Sequence, residues 1–126
     1  MKNIWIVDDD EEMAQAVSLM LKLLDCKARE FRDARSAARA LLSGDYPELI
    51  LLDINMPEVS GLDLLEFIRR RGTWKKMPVL MISTEAVDAQ IDRALELGAD
   101  GYLVKPVTID ELEEAIINAF KRQDLK

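Results

Sequence analysis

Glu48-Leu49-Ile50-Leu51-Leu52-Asp53-Ile54-Asn55-Met56-Pro57 is the stretch on which the fold turns. Glu48 to Leu52 carries four large aliphatic residues in a row, with no polar residue between them. A short run of this kind suits a strand buried on both faces, as in a parallel sheet with helices above and below. Asp53 ends the run with a carboxylate, and Met56-Pro57 reads as a strand stop and loop shaper. A second fully apolar run, Pro78 to Ile82, leads into Ser83 and Thr84 in the same way.

Working outward, Asn3 to Val7 reads as a short buried strand, with Trp5 in the core. Glu11 to Leu24 repeats apolar residues at helical spacing: Met13, Ala14, Val17, Met20, Leu21 and Leu24. Lys27 to Phe31 is a short strand whose charges suit a sheet edge. Asp33 caps a helix running to about Ser43, with Gly44 as its stop. Ser60-Gly61-Leu62-Asp63 resembles a capping box and opens a helix to about Arg71. Asp88 to Leu97 is a helix stopped by Gly98, and Gly101 to Val104 is a fifth strand. Thr108-Ile109-Asp110-Glu111 is a second capping box, opening a helix to about Arg122. Gln123 to Lys126 reads as a fraying tail. Regular alternation implies parallel strands joined by right-handed crossovers, so residues 1–126 are expected to form one α/β domain.

Composition narrows the chemistry. The 126 residues are 49% hydrophobic and 33% charged, a globular balance. Twenty-four acids against 17 bases give a net charge of −7, which repels nucleic acid and anionic membrane surfaces. No apolar run approaches the roughly 18 residues a membrane span needs. Met1-Lys2-Asn3 leads straight into a strand and three acids, which is no signal peptide, so a cytoplasmic location is expected. Cys26 is the one cysteine, excluding an internal disulfide and a cysteine metal site; it reads as a packing residue. There is no histidine, which removes Ser-His-Asp and Cys-His machinery, histidine metal sites and any phosphohistidine on this chain.

In open α/β sheets, functional groups gather at the carboxyl ends of the strands. Asp8, Asp9 and Asp10 follow the first strand, and Asp53, Ile54 and Asn55 the third. Ser83 and Thr84 follow the fourth, and Lys105 and Pro106 the fifth. Asp10 and Glu11 read as solvated helix-capping acids, and Thr84 as a loop cap. Two carboxylates about 5 Å apart repel by roughly 3 kcal/mol at an effective dielectric of about 20. Three such pairs approach about 10 kcal/mol, so protons or a cation must offset them. Oxygen ligands alone favour a hard divalent ion such as Mg²⁺.

These residues carry a resemblance. Val7-Asp8-Asp9, Leu52-Asp53-Ile54-Asn55-Met56-Pro57 with Gly61, Ile82-Ser83, and Gly98 to Pro106 resemble the receiver domain of two-component response regulators, in particular the chemotaxis type, over essentially the whole chain. The resemblance implies a flavodoxin-like, doubly wound, five-stranded parallel sheet in the order 2-1-3-4-5 with five helices. It implies that Asp53 is the phosphoacceptor, and that Asp8, Asp9, Asp53 and the backbone carbonyl of Asn55 hold Mg²⁺ or Mn²⁺. Lys105 would pair with the phosphoryl oxygens, Ser83 would donate a hydrogen bond to them, and Tyr102 would be the aromatic switch. A cis Lys105–Pro106 bond is a further family expectation. The phosphoryl donor would be a histidine kinase or a histidine phosphotransfer protein. Asn55 and Glu85 resemble the pair found in chemotaxis-type regulators, which points to a short-lived acyl phosphate.

One charge-assisted hydrogen bond from Ser83 is worth roughly 1.5–3 kcal/mol. Reversing a 1:99 population takes about 5.5 kcal/mol, so Lys105 or partner binding must add to it. Movement of Ser83 is expected to leave space that Tyr102 fills, remodelling the face of the fourth helix, fifth strand and fifth helix. The output is expected to be a downstream protein or a C-terminal module outside this sequence. Glu113, Glu114 and Asn118, with Gly101 in place of an Asp, speak against the symmetric dimer of winged-helix regulators. Arg69, Arg70, Arg71, Lys75 and Lys76 read as cations complementing a helix dipole, with contact to an acidic partner as the other reading.

Three other classes are weighed. An aspartyl phosphohydrolase favours Asp-x-Asp-x-Thr/Val, where this chain has Glu12 at the last position and no cap insertion. An FMN carrier needs a Ser, Thr and Gly-rich first loop in place of acids. A degenerate receiver acting only as an interaction module would lack residues that are all present here.

Overall fold

The computed structural model describes residues 1–124. The strands are β1 (Lys2–Val7), β2 (Cys26–Phe31), β3 (Leu49–Asp53), β4 (Val79–Ser83) and β5 (Gly101–Val104). The helices are α1 (Glu11–Leu23), α2 (Ala34–Leu42), α3 (Gly61–Arg70), α4 (Asp88–Glu96) and α5 (Ile109–Asp124). All strand pairings are parallel, and the sheet order is β2-β1-β3-β4-β5. Strands β3 and β4 are buried at every residue, as their apolar runs require.

Alternation along the central strands builds two cores. Trp5, Val7, Ile50, Leu52, Val79 and Met81 join one core with residues of α2, α3 and α4. Ile4, Ile6, Leu49, Leu51, Leu80 and Ile82 join the other with α1 and α5. Strand β2 lies at an edge, as its charges suggested. Arg29 from that strand lies over the rings of Trp5 and Phe31, at 5.4 and 4.7 Å from their centroids. The helix starts follow the sequence: Asp10 caps α1, Asp33 caps α2, and Ser60 with Asp63 closes a capping box on α3. Thr108 and Glu111 bond reciprocally at the start of α5. Cys26 is half-buried against the α1–α5 core, and burial pushes its thiol up, as suits a packing residue.

Part of the basic run does stand at a helix end, with Arg69 and Arg70 in the last turn of α3, but its members do more than complement the dipole. Arg70 pairs with Glu66, Arg71 lies over the rings of Phe67 and Trp74, and Arg69 turns inward to Asp100. The chain after α3 also makes a 3₁₀ turn, Gly72–Trp74, that the sequence reading lacks. The tail is not frayed at its start: Gln123 and Asp124 continue α5, and Gln123 is buried. Leu125 and Lys126, the rest of that expected tail, lie outside the described residues.

Arg69 and Gln123 meet at Asp100, whose side chain has no exposed surface. Asp100 Oδ2 accepts from Arg69 at 3.0 Å and from the Val79 backbone at 2.9 Å. Its Oδ1 accepts from Gln123 Nε2 at 2.7 Å and lies 3.3 Å from Arg122 Nε. Arg69 also donates to the Gly98 and Met77 carbonyls. Four segments are thus tied at the start of β4 through one carboxylate. Removing one partner of a buried pair leaves the other charge stranded. Asp100→Ala is expected to lose about 3–5 kcal/mol of stability in urea unfolding, far more than Arg70→Ala at the exposed pair.

Candidate functional site

The sheet order brings the ends of β1 and β3 side by side, since Val7 pairs with Leu52. Asp8 follows β1 and Asp53 ends β3, so both carboxylates stand at one rim. Both residues are buried, and Asp9 beside them is exposed. Carboxylate oxygens of Asp8, Asp9 and Asp53 lie within 4.8 Å of one another. The three aspartates named from the sequence therefore do converge. Asp10 stands apart from them, capping α1 through the Met13 amide at 3.2 Å.

One ammonium answers this cluster. Lys105 Nζ lies 2.9 Å from Asp8 Oδ2 and 3.3 Å from Asp53 Oδ1. The Lys105–Pro106 bond is cis. Burial alone pulls the lysine down, but the hydrogen bond to Asp8 and the charges of Asp53 and Asp8 outweigh it and raise it. Asp53 moves the other way for a carboxylate. Burial first, and then the neighbouring Asp8, raises it from 3.8 to about 6 against the pull of Lys105. Three carboxylates and one ammonium leave two negative charges uncompensated, a donor set that fits one hard divalent cation.

The two oxygens of Asp53 are not equivalent. Oδ1 faces Lys105. Among the described residues nothing bonds Oδ2, and it is not sealed in the interior. Asp8, by contrast, is engaged on both oxygens, taking the Asp10 amide on Oδ1 and Lys105 on Oδ2. The backbone behind Asp53 is held firmly. The Gly61 amide donates to the Ile54 carbonyl at 2.9 Å, and a Cβ at Gly61 would collide with the Asp53 carbonyl oxygen. Only glycine lets α3 begin this close to the strand end.

The hydroxyl of Ser83, wholly buried at the end of β4, is the acceptor in every side-chain hydrogen bond it makes among the described residues. It accepts from the Glu85 amide at 3.1 Å, Gln90 Nε2 at 3.3 Å and Asn55 Nδ2 at 3.5 Å. Its own proton is left for an incoming oxygen. Asn55 and Glu85 are both exposed on this rim. Tyr102 is half-buried on β5, and its hydroxyl donates to the Glu85 carbonyl at 2.9 Å and accepts from Gln90 at 2.7 Å. Thr84 does not cap the next helix: the N-cap of α4 is Val87, with no side-chain bond. Gln90 was absent from the sequence reading.

A raised carboxylate makes a signed prediction. Folded Asp53 holds its proton to about pH 6, while the unfolded chain releases it near 3.8. The folded state therefore binds more protons between those values, and stability from this group falls as pH rises through that window. Asp53→Asn, measured in chelator, is expected to gain about 1–3 kcal/mol near pH 7.5. The gain should vanish near pH 4, as read by urea unfolding.

The comparisons agree with this geometry. The family model for the response regulator receiver domain matches residues 4–117. Chemotaxis protein CheY-3 of Vibrio cholerae is 39% identical over 120 residues, covering 94% of this chain and 92% of the relative. Chemotaxis protein CheY of Pseudomonas aeruginosa is 38% identical over 120 residues, covering 94% and 96%. The crystal structure of Vibrio cholerae chemotaxis protein CheY4 superposes with a TM-score of 0.86 at 28% identity, covering 94% of this chain and 98% of that one. With the family model matching nearly the whole chain and chemotaxis relatives at 38–39% identity, the chain belongs to the response regulator receiver domain family and is chemotaxis-regulator-like within it.

Proposed function

We propose that residues 1–126 form one receiver domain in which Asp53 takes a phosphoryl group from a phosphohistidine of a histidine kinase or histidine phosphotransfer protein. The observation that carries this reading is the Lys105 amine spanning Asp8 and Asp53 inside a cluster of three aspartates. Asp53 Oδ2 is the open nucleophilic oxygen. It forms the new O–P bond as the N–P bond of the donor breaks, and the electron pair returns to the donor imidazole. Lys105 offsets the charge that develops on the phosphoryl oxygens. Ser83 turns its unused proton to one of them. Asp8, Asp9, Asp53 and the Asn55 backbone carbonyl would hold a Mg²⁺ or Mn²⁺ ion, which when bound would supply positive charge against the carboxylates and the arriving group.

Tyr102 carries the change outward to α4, β5 and α5. Leu95, Val104 and Ile117 from these three elements are exposed apolar residues, which suits a face that binds a downstream protein or a C-terminal output module. Exposed Glu113, Glu114 and Asn118 on α5 give that face an acidic and polar border. Among the described residues no helix is long and apolar enough to cross a membrane, and a cytoplasmic setting accords with a kinase partner. The net charge of −7 disfavours direct contact with nucleic acid.

Acetyl phosphate should add one phosphoryl group to the parent chain in Mg²⁺, read by intact mass, and none after chelation. Asp53→Asn should take none in either condition. Modification that survives Asp53→Asn would refute the assignment. With Asn55 and Glu85 at the rim, the phosphorylated form should decay in well under an hour. A lifetime of many hours would refute the role of that pair.

A further inference from the structure

We propose that Gln90 is a positioning residue that ties the Ser83 hydroxyl to Tyr102, so that one carboxamide links the rim to the β5 face. The proposal rests on the reading of Asp53 as phosphoacceptor, and it adds a residue to that reading. Among the described residues Gln90 is the one whose side chain bonds to both groups, with Nε2 3.3 Å from Ser83 Oγ and 2.7 Å from Tyr102 Oη. A carboxamide nitrogen carries two hydrogens, so both bonds form at once. Tyr102 Oη donates to the Glu85 carbonyl, and the Glu85 amide donates back to Ser83 Oγ. The four residues close a ring of hydrogen bonds over the β4–α4 loop.

The ring matters because α4 is loosely attached. Of its nine residues only Ala94 is buried, and its N-cap, Val87, offers no side-chain acceptor. Gln90 sits in the first turn, where its amide bonds to the Val87 carbonyl. Its side chain is therefore a principal tie between that turn and the sheet. Ser83 Oγ has two lone pairs and three donors aimed at them. When Ser83 rotates to give its proton to a phosphoryl oxygen, those lone pairs turn away from Gln90. The carboxamide then has Tyr102 alone as partner, and the first turn of α4 is released from the rim.

The sequence has two tyrosines, which makes the test direct. The whole chain is labelled with ring ¹³C-tyrosine, and exposed Tyr46 serves as internal reference. Without ligand, Gln90→Met and Ser83→Ala should each move the Tyr102 resonance. The double variant should move it no further than Gln90→Met alone. Fully additive shifts overturn the bridge. Gln90→Leu also lacks the donor hydrogens and can neither give nor accept a hydrogen bond, so it should behave as Gln90→Met, and parent-like behaviour overturns the proposal. With Mg²⁺ and beryllofluoride, the Tyr102 shift of the parent should fall about threefold or more in Gln90→Met, the weight of one hydrogen bond. The beryllofluoride affinity should stay within about threefold, since Gln90 does not touch Asp53. An undiminished Tyr102 response overturns the coupling. If the parent takes up no beryllofluoride, the phosphoacceptor reading fails, and the unliganded cycle still judges the bridge.

Discussion

The repulsion among Asp8, Asp9 and Asp53, answered by a single lysine, is the constraint on which the rest of the molecule depends. Evolution of a stable sheet alone would not place two buried carboxylates within reach of a third. The parallel topology makes the arrangement possible, because β1 and β3 are neighbours and end at the same level. Lys105 arrives from the far side of the sequence on the loop after β5. Its one amine serves two acids, so the site is electrostatically unfinished without a further cation. Burial, and after it the repulsion of Asp8, explains why Asp53 rests above an ordinary carboxylate.

Most of the architecture was legible in the sequence because the signals are strong and local. The apolar runs of β3 and β4, the caps at Asp33, Ser60 and Thr108, and the edge charges of β2 all appear where they were read. The strand order was less so: alternation gives parallel strands, and the order came only from the family resemblance. The convergence of the aspartates followed from that order. Gln123, Arg69 and Gln90, which the sequence reading did not put in these places, are polar side chains that turn toward interior partners. Gln123 continues the apolar face of Leu112, Ile116 and Ala119 at helical spacing, a signal that was available. Arg69 lies four residues after buried Leu65, yet the run of cations around it read as complementing a helix dipole. Gln90 gave no signal at all, because its two partners lie on different strands.

The two ends of the sheet are organised on opposite terms. At the functional rim anionic groups outnumber their counter-ion. At the other end, Asp100 is surrounded by Arg69, Arg122, Gln123 and the Val79 amide, so the acid is more than satisfied. A buried carboxylate with this many donors favours one geometry and resists displacement. Charge is left open where chemistry is wanted and closed where only shape is needed.

Gly61 has a mechanical meaning beyond its fit. With no side chain between α3 and the Asp53 carbonyl, the helix acts as a backstop, and the strand end cannot recoil when the rim is loaded. Any yielding must then be taken up on the opposite flank, where α4 hangs from a few polar tethers. The molecule thus has an anvil on one side of its reactive oxygen and a hinge on the other.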